Sequence, residues 1–243
     1  MLIKRIDARV HASCAQLIEA LEKDLDALTG GFLSLKDSKL VVFMRGEVKD
    51  ISVELNASVS KDGGLRIDAV NELGYEALHL YASCREEDGS ASLSIELIMN
   101  PVALGVSMAR VNINAEHIEY NIRRNLATVA RKRLAFSDVI VDKYLREDLV
   151  ARMIAEGDLV DRFETKLSEL DIRALAMKFA DRNLLIVFAD HGIKGRAVVI
   201  GALAGVKMVY GELEYVNERA IEKMRSVGET VTVAVYGIDK FVK

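Results

Sequence analysis

The 243-residue sequence contains no tryptophan, one proline and two cysteines, and glutamine occurs once, at Gln16. It also lacks any uninterrupted apolar stretch of about 18 residues, which excludes a membrane-spanning helix. The scarcity of glutamine beside abundant lysine, arginine and glutamate favours a thermophilic source, because amide side chains are labile at high temperature. The ordinary frequency of asparagine and the shortage of loop proline point the other way.

The two cysteines, Cys14 and Cys84, are far apart and belong to no CxxC or Cys/His pattern. This spacing argues against a zinc site and favours a reducing compartment. A single disulfide between them is the alternative that the sequence leaves open. The first residues, MLIKRIDARVH, alternate polar and apolar side chains and lack the apolar run of about 7–15 residues that a signal peptide needs. We therefore predict a cytoplasmic protein.

Charge is evenly distributed along the chain. Hydrophobic residues make up 51% of the sequence and charged residues 29%, so a filled core with a charged surface is expected. The formal net charge is -4, and each part carries a net charge of -2 when the sequence is divided after Phe136. Neither part has the basic balance of a nucleic-acid module, so nucleic acid is not the expected partner.

A helical pattern from Pro101 to Phe136 organises the first half of the sequence. Its apolar residues recur three, four or seven positions apart and form one stripe on a helix of about 3.6 residues per turn: Val111, Ile118, Ile122, Leu126 and Val129. Pro101 suits the first helical position, where the backbone N–H would have no intrahelical partner. We expect this long helix to lie across a sheet and to bury its stripe there.

The segments before this helix predict mainly strands. Leu2–Val10 alternates as a strand does, and helical spacing from Ala12 to Leu28 predicts a helix that ends at Gly30-Gly31. Five further strands are predicted at residues 39–47, 51–59, 65–69, 75–84 and 91–100. Short turns connect them, so we expect an antiparallel meander with one polar and one apolar face.

The second half predicts a smaller α+β domain. Helical patterns cover residues 139–156, 159–180 and 217–227, and short strands are predicted at residues 184–189, 196–201, 206–211 and 230–235. The fold class is therefore α+β, with domains of residues 1–136 and 137–243. No linker rich in proline, glycine or serine marks the boundary between them.

The order of strand, helix, meander and long helix resembles the helix-grip fold of the START/SRPBCC superfamily. In that fold a curved antiparallel sheet wraps a long C-terminal helix, and the resemblance covers residues 1–136. The sequence departs from the family pattern in two respects, because it predicts one short helix where two are common and six strands where seven are common. The resemblance implies a space between sheet and long helix that holds a small apolar molecule.

Two groups of residues bear on such a space. Gly105 and Ala109 make the start of the long helix slender, which could leave volume beneath it; the alternative is a closed core in which small residues let the helix approach the sheet. His79 and Tyr81 share one face of a predicted strand. They would orient a ligand if that face points inward, and they are ordinary surface residues if it points outward, which is the favoured interpretation.

Cations gather near the C-terminal end of the long helix, where they complement the helix dipole. Arg124 and Arg131 are seven positions apart and share a face, and with Arg123 they could contact an anionic surface. Interleaved aromatic residues are missing, which disfavours nucleic acid. Asp190 and His191 stand in a glycine-flanked turn that could supply a base or a metal ligand, but an exposed turn is the favoured interpretation.

Three functions of different classes follow from these patterns. The leading prediction is a noncatalytic protein that binds a small apolar or amphipathic ligand between sheet and long helix. The second is a homo-oligomeric assembly protein with a solid core, and the third is an enzyme with a pocket near His79 and Tyr81. No pattern indicates a cofactor or a metal site.

Overall fold

A computed structural model describes residues 1–46, 48–87, 89–190 and 192–242. The chain forms two compact units, Met1–Ala130 (unit 1) and Arg131–Lys243 (unit 2). That residues 1–136 and 137–243 are independently folding domains remains a prediction. Within the described ranges, no helix is both long and apolar enough to cross a membrane.

In its described residues, unit 1 consists of one seven-stranded sheet and four helices. The helices are α1 (Cys14–Lys23), α2 (Leu25–Thr29), α3 (Pro101–Leu104) and α4 (Met108–Arg131, whose last residue belongs to unit 2). The strands are β1 (Leu2–Val10), β2 (Leu33–Lys36), β3 (Lys39–Met44), β4 (Ile51–Ser60), β5 (Leu65–Val70), β6 (Glu76–Glu87) and β7 (Ser90–Met99).

The strand order is β1-β7-β6-β5-β4-β3-β2, and every neighbouring pair is antiparallel. The predicted α+β fold with an antiparallel meander is therefore confirmed. The predicted departures from the helix-grip pattern are wrong, since the sheet has seven strands and two helices connect β1 to β2. The missed strand, β2, has only four residues, and the residue between α1 and α2, Asp24, departs from helical geometry.

The long helix predicted from Pro101 to Phe136 is interrupted near its start and ends earlier. Asn100 caps α3 with its side chain, and Gly105 ends this helix with a left-handed φ of 69°. A new helix, α4, then begins at Met108, and the hydroxyl of Ser107 accepts a hydrogen bond from the N–H of Arg110. The apolar stripe predicted for α4 is confirmed, because its residues are buried. The spacing of apolar residues did not reveal the break before α4, since one left-handed glycine ends a helix without changing that spacing.

Side chains of α4 contact strands near both edges of the sheet. Glu119 forms an ion pair of 2.8 Å with Lys4 of β1, and this hydrogen bond holds the pKa of the Glu119 carboxyl below its usual range. Asn114 is fully buried and exchanges hydrogen bonds with the backbone of Arg45, directly after β3. Because β1 and β3 lie near opposite edges, these contacts show that the sheet curves around α4.

A disulfide joins Cys14, at the start of α1, to Cys84 of β6. It is the alternative that the sequence left open, and it removes the argument from cysteine usage for a reducing compartment. The sequence could not decide between the two states, because pairing depends on the approach of α1 to a strand 70 residues away.

Unit 2 contains a second antiparallel sheet with helices on both faces. Its helices are α5 (Asp138–Tyr144), α6 (Glu147–Glu156), α7 (Ile172–Lys178) and α8 (Asn217–Arg225). Its strands are β8 (Ala135–Phe136), β9 (Asp158–Lys166), β10 (Leu184–Asp190), β11 (Ile193–Ile200), β12 (Leu203–Tyr210), β13 (Leu213–Val216) and β14 (Thr230–Gly237), in the order β13-β12-β11-β10-β14-β9 with β8 parallel to β12.

Each face of this sheet has its own apolar core. One cluster joins residues of α7 and α8 to the strands, and the other joins residues of α5 and α6 to the opposite face. Alternate residues of β10 divide between them: Leu184, Ile186 and Phe188 belong to the first and Leu185 to the second. A strand that is covered on both faces has a continuous apolar sequence. This is why residues 184–189 could be predicted as a strand.

The helix predicted over residues 159–180 is wrong, because its first part is the edge strand β9. Val160 and Phe163 are three residues apart and suggested a helical period, yet both pack on the α7–α8 core from β9. The pairing of β9 with β14 shifts register at this point, so that Val160 is an extra residue on the bulged strand. A β-bulge turns side chains three residues apart to the same face, and only the pairing reveals it.

Candidate functional site

The interface between the first sheet and α4 is built from apolar side chains. Leu78, Leu80 and Ala82 of β6 point to this side and are buried, as are the matching residues of β7: Leu93, Ile95, Leu97 and Met99. The buried stripe of α4 faces them with Val111, Ala115, Ile118, Ile122 and Leu126. Asn114 carries the one fully buried side-chain amide of α4, and this amide forms its hydrogen bonds with backbone groups. A molecule held at this interface would meet hydrocarbon on nearly every side.

Neither Gly105 nor Ala109 belongs to the buried stripe. Both are exposed, and a Cβ added at Gly105 would meet open space. They therefore lie at the surface of the α3–α4 junction. A larger residue at Gly105 would therefore be a poor probe of the volume beneath α4, because the left-handed φ of 69° would strain it regardless of the space available.

Exposed apolar side chains surround this junction. Asn71 donates a hydrogen bond of 3.1 Å to the carbonyl of Ala103, and Arg110 donates one of 2.6 Å to the carbonyl of Lys49. These two bonds bring the turn after β5 and the segment after β3 to the start of α4. Four apolar residues of these segments, here named the apolar fringe, are between 47% and 98% exposed: Val48, Leu73, Val102 and Met108.

His79 and Tyr81 lie on the outer face of the sheet, away from α4. The His79 ring donates a hydrogen bond of 2.6 Å from Nδ1 to the Asp68 carboxylate, and its Nε2 lies 3.4 Å from the carboxylate of Glu76. Tyr81 is exposed. These two residues therefore cannot orient a ligand between sheet and helix, and the interpretation as surface residues is correct. The pair of His79 and Asp68 supplies a base with an orienting carboxylate, but Nε2 faces Glu76.

Asp68 gives the outer face a measurable pH dependence. Partial burial raises the pKa of its carboxyl, but hydrogen bonds from His79 and Arg66 outweigh this effect and lower the pKa. A lowered pKa in the folded state stabilises the fold above the unfolded value of about 4, and the contribution is lost as the pH falls through the folded value.

We expect Asp68→Asn to lower the free energy of unfolding by less than about 1 kcal/mol at pH 7, because the pair is partly exposed. The difference from the unmodified protein should shrink as the pH falls below about 4. Urea denaturation at several pH values measures it, with Asp62→Asn in an exposed turn as the control. A deficit that persists unchanged at pH 3 would contradict the assignment.

The three cations predicted to form an anionic-contact surface have different environments. Arg123 forms hydrogen bonds of 3.1 and 3.0 Å with Glu119 and also donates to the carbonyl of Asp7, so it ties α4 to β1. Arg124 is exposed, and its contact with an anionic surface stays a prediction. The prediction is wrong for Arg131, which is 3% exposed and contacts only backbone carbonyls through the hydrogen bonds described for it.

The turn at Asp190 and His191 cannot be evaluated as a site, because His191 lies outside the described residues. Asp190 ends β10, with Ile193 as its partner on β11. Among residues 1–46, 48–87, 89–190 and 192–242, no group of three or more histidine, cysteine, aspartate or glutamate side chains is placed to hold a metal ion.

Sequence reasoning did not bring together two cations of the second sheet. Arg196 of β11 and Lys207 of β12 interrupt apolar strands, and each faces the side of the sheet that carries α5 and α6. The signal was available, since a single cation within an apolar strand usually needs a partner. The sequence could not show that Arg196 and Lys207 lie next to each other, because this depends on the register of the two strands.

Comparison with known proteins gives structural likenesses only. No protein-family model matches the sequence, and no curated protein matches it. Among solved structures, the di-domain ARO/CYC BexL from the BE-7585A biosynthetic pathway is 8% identical over 98% of this chain and 85% of its own, with a TM-score of 0.36. The di-domain ARO/CYC StfQ from the steffimycin pathway is 9% identical over 97% and 84%, with a TM-score of 0.34.

A protein from Deinococcus radiodurans is 12% identical over 51% of this chain and 96% of its own, with a TM-score of 0.36. Identities and TM-scores of this size assign no function. The description of unit 1 as helix-grip-like rests instead on its own strand order and on the placement of α4 against the curved sheet.

Proposed function

We propose that unit 1 binds a small apolar or amphipathic molecule between its curved sheet and α4, and that this binding is noncatalytic. The observation that carries the proposal is the apolar fringe at the α3–α4 junction. Exposed apolar side chains gathered at one place commonly mark a binding groove or an interaction surface. Here they lie beside the apolar interface of the sheet and α4, which suits an apolar ligand.

The ligand would pass between the α3–α4 junction and the segment after β3. Gly105 and Ala109 border this route at the surface, and Val111 and Ala115 follow on the buried stripe. Two features favour movement there: α3 has only four residues, and a left-handed glycine separates it from α4. A short helix with a glycine joint can shift without disturbing the hydrogen bonds of α4.

The competing function is a homo-oligomer that buries the apolar fringe against a second copy around a solid core. Native mass spectrometry of protein purified from a lipid-rich host separates the two. A retained apolar adduct that is released on denaturation supports ligand binding. A dimer or larger assembly without an adduct supports assembly and overturns the proposed binding. Oligomerisation and a thermophilic source stay predictions.

A matched pair of substitutions tests the interior directly. Ala115→Phe places a ring beneath α4, whereas Glu116→Phe places the same ring on the exposed side of the same helix, away from the α3–α4 junction. If a ligand space exists, Ala115→Phe should change the free energy of unfolding by less than about 1 kcal/mol, because the ring fills space that a solid core would not provide. It should also abolish binding of N-phenyl-1-naphthylamine, a neutral apolar fluorophore, while Glu116→Phe leaves binding intact.

A solid core gives a different result. Overpacking at Ala115 would then cost about 1–3 kcal/mol, and the unmodified protein would not bind the fluorophore. Urea denaturation followed by circular dichroism and fluorescence titration provide the two readouts. This outcome would contradict the binding proposal.

A further inference from the structure

A cleft of about 340 Å³ opens on the second sheet, on the face that carries α5 and α6. Val150 and Ile154 of α6 form one wall, and Val187 of β10 and Val209 of β12 contribute to the floor. Both helices cover only part of this face, so the sheet surface beyond α6 stays open. The volume is within the range of small-molecule sites.

Two cations stand side by side on this apolar floor. Arg196 of β11 and Lys207 of β12 are direct partners in the strand register, and both line the cleft. Their side chains are only 21% and 29% exposed. Like charges directly opposite each other on neighbouring strands destabilise a sheet, and partial burial increases that cost. The pair therefore requires negative charge within the cleft.

The two carboxylates that now supply this negative charge lie at the rim of the cleft. Glu147, at the start of α6, lies 3.6 Å from the Arg196 guanidinium, and its side chain is 92% exposed. Charge-assisted hydrogen bonds of good geometry are shorter, at about 2.7–2.9 Å. Glu214 is closer to Lys207, at 2.9 Å, and its side chain is about half exposed. An incoming carboxylate could take the place of Glu147 at little cost, because Glu147 would return to water.

We propose that this cleft binds a small amphipathic carboxylate, with its anionic head at Arg196 and Lys207 and its hydrocarbon part against Val150, Ile154 and Val187. Arginine presents a planar fork that matches a carboxylate through two parallel hydrogen bonds, and lysine adds a second positive charge. A ligand with both parts satisfies the cations and the apolar walls together. The site is independent of the binding proposed for unit 1.

Binding of decanoate and of 1-decanol to the full chain tests the head group. We expect decanoate to bind in isothermal titration and to shift amide resonances of residues 187–209, with 1-decanol at least tenfold weaker. Arg196→Gln should weaken decanoate at least tenfold. The control is Arg162→Gln, because Arg162 lies on the same face of the same sheet, across β14 from Val187 and outside the cleft lining. It should leave decanoate affinity within about twofold.

A second variant tests the exchange of carboxylates and does not depend on the tolerance of Arg196 to substitution. Glu147→Gln removes the competing carboxylate from an exposed position, so we expect decanoate to bind severalfold more tightly. The proposal is overturned if 1-decanol binds as well as decanoate, if neither Arg196→Gln nor Glu147→Gln changes the affinity, or if the shifted resonances lie in unit 1.

Discussion

Removal of the disulfide between Cys14 and Cys84 is expected to lower the free energy of unfolding by about 4 kcal/mol. The bridge joins two residues with a sequence separation of 70. In the chain-entropy model, a cross-link that closes a loop of this size lowers the conformational entropy of the unfolded chain, which stabilises the folded state by about 4 kcal/mol. The bridge also fastens the start of α1 to β6. Few single changes in the protein should have a larger effect.

The variant carrying Cys14→Ser and Cys84→Ser should unfold at a lower urea concentration, and reductant should not change its transition. The unmodified protein should shift towards the variant when dithiothreitol is added. Alkylation with a thiol reagent, read by mass spectrometry, reports the state of both cysteines in the native protein. Two freely alkylated cysteines after purification without reductant would contradict the bridge.

Substitution of Arg131 by methionine is expected to lower the free energy of unfolding by about 3–5 kcal/mol. The Arg131 guanidinium donates hydrogen bonds of 2.6, 3.0 and 2.7 Å to the carbonyls of Gly201, Phe179 and Arg182. Burial lowers the pKa of this guanidinium, and the charges of Asp239 and Asp181 oppose that shift. Methionine fills similar volume but leaves three carbonyl groups without their donor.

The matched control for this variant is Arg124→Met, seven residues earlier on the same helix and exposed, for which we expect a change within about 0.5 kcal/mol. Arg131→Lys should give an intermediate loss, because lysine keeps the charge without the planar fork. Urea denaturation gives the free energies, and hydrogen exchange should quicken around residues 179–182 and 201. Equal stability of the Arg131→Met and Arg124→Met variants would show that the carbonyl contacts contribute nothing.

The two predictions share one feature: all three residues were visible in the sequence, but their partners were not. The spacing of Cys14 and Cys84 favoured a reducing compartment and left a disulfide open, and Arg131 was grouped with Arg123 and Arg124 as a surface cation. Helical spacing places Arg124 and Arg131 on the same face of an isolated helix. It carries no information about the carbonyl groups that surround the last residue of α4.

The sequence alone determined those parts of the fold that depend on local periods. Strands β4 to β7 alternate with a period of two because one face of the sheet excludes water, and their turns carry glycines that accept positive φ. The buried stripe of α4 and the two-sided apolar run of β10 followed for the same reason. From these elements the α+β class and the order of the helix-grip fold could be predicted.

Tertiary structure decided the features that depend on a partner distant in the chain. The edge strand β9 exists because β14 pairs with it, and its bulge at Val160 imitates a helical spacing. The direct approach of Arg196 to Lys207 follows from a strand register, and a shift of one residue would turn every side chain of β12 to the other face. Local periods specify which face of an element is apolar, whereas pairing and burial specify which polar groups meet, so the candidate sites became visible only in the folded chain.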